Sequence, residues 1–125
     1  HANPHAKAGV KTAAQDSGKP VEKASGPDGR TIAEVFAQKA ALKGKTVAVR
    51  GRVVKYNAAI MGVNWLHLRD GSGTSAGKND DIAVTTEDAA ELGQVVTVRG
   101  PVTLDKNLGA GYNFPVLLEK ARLSR

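Results

Sequence analysis

The 125-residue chain carries 18 Lys and Arg against 12 Asp and Glu, and a net charge of +6 points to polyanions: nucleic acid, anionic lipid or acidic polysaccharide. The complete lack of cysteine excludes disulfides, thiolate metal sites and a cysteine nucleophile. No apolar run approaches the roughly 18 residues of a membrane span, and the length fits one domain with an appendage. The plainer use of the charge is solubility.

Residues 1–29 are rich in Ala, Lys, Gly and Pro, and Val10 and Val21 are the larger apolar side chains among them. Such a segment cannot bury enough area to fold alone. It is expected to be an extended N-terminal arm, with the folded domain spanning 30–125. An arm without a core becomes ordered by lying on its own domain, a neighbouring copy or a ligand. The favoured reading is a neighbouring copy, hence a homo-oligomer or filament. Lys7, Lys11, Lys19 and Lys23 are spaced so that they could track phosphates, and the simpler reading is a solubilising tail. His1 and His5 are weak metal candidates, because a terminal amine with its own imidazole chelates copper, yet no third fixed ligand is evident. The start at His1 fits a removed signal peptide, so a periplasmic or extracellular location is expected.

Thr31 followed by Glu34 is a capping box, and Ile32, Val35, Phe36 and Leu42 follow near helical spacing until Gly44. One apolar-faced helix is predicted there. A motif then occurs twice. Residues 44–54 read G-K-T-V-A-V-R-G-R-V-V, and residues 93–103 read G-Q-V-V-T-V-R-G-P-V-T. Val47, Val49 and Val53 match Val96, Val98 and Val102, and Arg50-Gly51 matches Arg99-Gly100. The period of two predicts half-buried strands, over 45–56 and 94–105. A glycine inside each run predicts a bulge or a tight bend. Asn57–Gly62 reads as a loop. A strand over 64–70 puts Leu66 and Leu68 on the core face and Trp65, His67 and Arg69 on the other. D-G-S-G at 70–73 is a turn signal opening a polar loop to 80. A strand over 81–86, a short helical turn over 87–92 and a strand over 112–123 complete the chain. Five strands, two of them sharply bent, would bury their edges by closing a Greek-key barrel.

The stretch W-L-H-L-R-D-G-S-G after V-R-G-R-V-V resembles the first hairpin of an OB-fold, of the anticodon-binding type. V-L-L-E-K-A-R-L at the end resembles the last strand of that fold, so residues 44–123 are covered. The closest likeness is to small exported bacterial OB-fold proteins described as nucleotide- or DNA-binding. The resemblance implies an all-β, five-stranded OB-fold Greek-key barrel preceded by a helix and the arm. It also implies a binding surface made of Trp65, His67 and Arg69, the loop at Ile60–Met61, and Lys106 to Tyr112. One departure is the low aromatic content: one Trp, two Tyr and two Phe.

Trp65 offers a stacking platform, Arg69 a phosphate contact and His67 a donor. Arg50, Arg52 and Lys55 with Arg99 would form a basic stripe, which is all a phosphate backbone needs. The plain alternatives are a covered Trp65 and arginines neutralised by Asp or Glu. G-S-G-T-S-A-G-K at 71–78 lacks the spacing of a phosphate loop. No nucleophile–base arrangement appears, so no catalysis and no cofactor are expected. The expected function is sequence-independent nucleic-acid binding, DNA in preference to RNA, dominated by electrostatics. The alternatives are an assembly subunit joined through its arm, and a periplasmic metal or small-ligand carrier.

Overall fold

A computed structural model describes residues 11–12, 19–109 and 111–124. Its elements are β1 (Lys11–Thr12), α1 (Ile32–Ala37), α2 (Lys39–Leu42), β2 (Thr46–Ile60), β3 (Val63–Arg69), β4 (Ile82–Thr86), β5 (Val95–Asn107) and β6 (Asn113–Ser124). The described residues are therefore all-β in class, with two short helices. Neighbouring strands run β1-β2-β3-β4-β6-β5, and β5 pairs with β2 as well. Only β4 and β6 are parallel among these pairs.

The twice-used motif pairs with itself. Val49 stands opposite Val98, Arg50 opposite Thr97 and Ala48 opposite Arg99, so the two copies run antiparallel about a local twofold relation. Val47, Val49, Val53, Val96, Val98 and Val102 all enter one core with Leu66, Leu68, Ile82, Val84, Val116 and Leu118. Ile32, Val35 and Leu42 close that core from the helices. The motif glycines allow close approach. A side chain on Gly51 would meet the Arg69 carbonyl oxygen at 3.1 Å, and one on Gly100 would meet Ala121 Cα at 3.0 Å. The β5 copy carries a register shift between Arg99 and Val102, as a glycine in a strand predicts. In β2 the shifts fall later, between Val53 and Lys55 and between Asn57 and Ile60, so Gly51 serves packing there and not a bulge.

Several predicted boundaries move. The stretch read as a loop at 57–62 is strand as far as Ile60, and Ile60 pairs with Val63 across a two-residue turn. Met61 and Gly62 both have positive φ, the geometry that matches strand twist in tight hairpins. A bulge with Ala59 at positive φ carries the strand through a sequence lacking alternation. The single predicted helix is two, divided at Gln38, which caps α1. Residues 87–92 form turns and no helix, because their polar groups are engaged elsewhere. Asp88 accepts from the Leu123 N–H at 2.9 Å, and its carbonyl accepts from Asn64 Nδ2 at 2.9 Å.

The described part of the arm lies on its own domain. Residues 28–30 bond to both backbone groups of Ala48, alongside the part of β2 that β3 does not reach. Val21 donates to the Asp70 carbonyl, Ala24 is buried, and β1 pairs with β2 at Lys55–Tyr56. Lys23 reaches Glu34 at 2.9 Å. Lys7 lies outside the described residues.

Asp70 holds these parts together. Its buried carboxylate accepts from the Ile32 N–H at 2.9 Å, from the Ser72 N–H at 2.9 Å and from the Ser72 hydroxyl. It thereby fixes the first turn of α1 to the end of β3. Asp70→Ala strands those donors in a buried place and is expected to cost about 2–4 kcal/mol. Urea unfolding would show a lower midpoint at unchanged slope. Glu34 closes the capping box, and the Thr31 N–H, followed by Lys23, holds its carboxyl below the usual carboxylate range. The unfolded chain therefore takes up this proton at higher pH than the native one. The contribution is full above the ordinary carboxylate value and is lost as pH falls through the native value. Urea midpoints measured from pH 7 down to pH 3 should fall less for Glu34→Gln than for the parent.

Candidate functional site

Strand alternation and register place a group of cations on the face turned away from the core. Arg122 on β6 is opposite Arg99 on β5. Arg99 is opposite Ala48, and Arg50 and Arg52 follow at alternate positions of β2. Arg52 is opposite Arg69 on β3, and Lys55, after the bulge, is opposite His67. The result is a belt running from β6 through β5 and β2 to β3. Arg122 was not singled out from sequence, because only the register puts it beside Arg99.

The belt is partly neutralised. Arg99 pairs with Asp28 at 2.9 Å. Asp81, just before β4, meets His67 Nδ1 at 2.6 Å and Arg69 Nε at 3.6 Å. An ionised carboxylate only accepts, so Asp81 fixes the proton on Nδ1 and leaves Nε2 for other partners. Arg50 and Arg52 donate to the carbonyls of Glu22 and Gly93, at 3.2 and 3.1 Å, and keep their charge. Lys55 has no ion pair among the described residues. The Arg52–Arg69 pair is the costly one. Like charges directly opposite on two strands repel. Among the described residues the buried Nε atoms of both arginines also have no hydrogen-bond acceptor, Arg69 Nε standing 3.6 Å from Asp81. Desolvated donors left unpaired cost free energy.

Beyond the belt, two hairpin tips meet at Trp65. Its indole N–H donates to the Ile60 carbonyl at 3.0 Å, which ties it to the β2–β3 turn. Its ring stacks on Phe114 of β6, with centroids 5.3 Å apart and planes at 30°. Phe114 therefore covers one side of Trp65. Around this stack Met61 is 66% exposed and Tyr112 65% exposed, with Ile60 beside them. Lys106, opposite Phe114 on the β5–β6 hairpin, pairs with Glu119 at 3.5 Å. The structure thus joins Trp65, the Ile60–Met61 tip and Tyr112 into an apolar rim. It groups Arg50, Arg52, Lys55, His67, Arg69 and Arg99 on the belt, and leaves Lys106 neutralised at the rim. His1 and His5 lie outside the described residues.

Other sequence features find structural uses. The loop at 71–79 is closed on itself: Thr74 N donates to Asn79 Oδ1, and Gly77 N to Thr74 Oγ1, both at 2.9 Å. Those N–H groups are not available to a phosphate. Among the described residues no group of three or more His, Cys, Asp or Glu is placed to hold a metal ion. Among them also, no helix is long and apolar enough to cross a membrane. No family model matches the sequence, and no curated protein and no solved structure matches it.

Trp65 is the one tryptophan of the chain, so its fluorescence reports the stack directly. Phe114→Ala should shift its emission to the red. The lost stack should also cost about 1 kcal/mol beyond lost burial, measured by urea unfolding. An unshifted spectrum would mean that Phe114 does not shield the indole.

Proposed function

We propose that this protein binds nucleic acid without regard to sequence, DNA in preference to RNA, and that its circuit of five long strands is a closed barrel of the OB type. The barrel reading is supported by the return of β5 to β2 and by the parallel β4–β6 pair. The observation that carries the function is Arg52 directly opposite Arg69, beside Lys55 opposite His67. Like charges set directly opposite on neighbouring strands repel, although Arg52 leans to the Gly93 carbonyl and Arg69 to Asp81. A phosphate backbone lying across the belt would relieve that repulsion and release its own counterions. The apolar rim at Trp65 would give bases a surface at the end of the track, with Tyr112 and Met61 supplying its exposed part. Phosphate contacts carry no sequence information, so the binding would be indifferent to sequence.

The test is fluorescence anisotropy of a labelled oligonucleotide, single-stranded and duplex, over a series of salt concentrations. Four neutralised phosphates predict a log–log slope of about −3. Arg52→Gln and Lys55→Gln should each reduce the magnitude of that slope by about 0.7 to 0.9 and weaken binding equally for unrelated sequences. Absence of binding to either form at low salt would refute the reading.

A further inference from the structure

One end of the belt is a groove, and the duplicated motif builds it. Arg50 and Arg99 are equivalent residues of the two motif copies. Antiparallel pairing about Val49 and Val98 sets them diagonally across from each other on the outer face. Between them lie Ala48 and Thr97, the residues directly opposite each arginine, and both are small. The groove above this floor has a volume of about 380 Å³. Its walls include residues Glu22–Ser25 and Ser124. The segment 22–25 is held there by the contact of Arg50 with the Glu22 carbonyl.

The chemistry of the lining is selective. A guanidinium presents five N–H donors in a fork suited to tetrahedral oxyanions. Among the described residues Arg50 and Arg99 each make one hydrogen bond, to the Glu22 carbonyl and to Asp28. Thr97, Ser25 and Ser124 add hydroxyl groups. Two carboxylates stand nearby, Asp28 on Arg99 and Glu22 in the wall. The Arg99–Asp28 pair is about half exposed on both sides. Pairs of that kind contribute little and yield to a competing anion.

We propose that this groove is a discrete site for a phosphate dianion, clamped between Arg50 and Arg99 over the Ala48–Thr97 floor. The dianion is either free phosphate or the terminal phosphate of a larger molecule. The site stands apart from the nucleic-acid reading, since a chain that bound no DNA would still hold phosphate here.

Calorimetry and phosphorus NMR with inorganic phosphate, chloride being adjusted to constant ionic strength, would test it. Saturable binding is expected. Arg50→Gln and Arg99→Gln should each weaken it by about tenfold, as loss of a charged hydrogen-bond donor implies. Asp28→Asn, which removes the rival anion, should tighten it. Circular dichroism melts of each variant show whether the fold survives. A 5′-phosphorylated oligonucleotide compared with its unphosphorylated twin separates the two sources, and a gain for the phosphorylated strand that is lost in Arg99→Gln supports a terminal phosphate. The proposal is overturned if phosphate gives no saturable signal beyond that of chloride. It is equally overturned if folded Arg50→Gln and Arg99→Gln bind phosphate as the parent does.

Discussion

Val49 lies against Val98, and from that pairing the positions of most other residues follow. Apolar side chains at alternate positions of two strands must enter the same core once the strands are adjacent. A shift of one residue would turn Val47, Val49, Val96 and Val98 outward and bury Arg50 and Arg99. Burial of two unpaired guanidinium groups is prohibitive, so the register is fixed from both faces. Gly51 and Gly100, one place beyond each arginine, give the adjoining strands room to approach. Packing on one side and charge on the other are two consequences of one repeated pentad.

Three aspartates show how placement decides what a carboxylate does. Asp70 is buried and fully engaged by backbone and hydroxyl donors, so it serves as a structural tie between α1 and β3. Asp81 is half-exposed and shared between His67 and Arg69 on the outer face. Asp28 is more exposed still and holds Arg99. The first stabilises the fold through desolvated hydrogen bonds, and the other two moderate the charge of a surface. Leaving Arg52 and Arg69 opposed while supplying only one carboxylate to the pair keeps that surface positive.

The N-terminal segment also has a definite role. Residues 28–30 continue the sheet beside β2 where β3 stops, and residues 22–25 form one wall of the groove. A stretch with almost no apolar content acquires its order from backbone bonds to Ala48 and Asp70. Its proline and alanine content forbids a core of its own and does not prevent it from edging one. On the proposed reading, the same segment borders the track along which a polyanion would lie.

The sequence alone determined the five long strands, the inward faces of the two motif strands and of the strand carrying Leu66 and Leu68, and the capped start of the helix. Those features depend on periodicity and on groups three residues apart, which any local reading can see. It also brought out Trp65, His67 and Arg69 as one face. It could not show that Phe114 covers Trp65, that Arg122 stands beside Arg99, or that Asp81 divides itself between His67 and Arg69. Each of those relations joins residues far apart in the chain through a register that only strand pairing sets. The extent of β2 past Asn57 was hidden for a related reason, since a bulge erases the alternation by which strands are recognised. Tertiary structure alone decided that residues 19–29 lie on their own domain, because the Asp70 carbonyl that receives Val21 and the Ala48 backbone groups that bond residues 28–30 lie far along the chain from them.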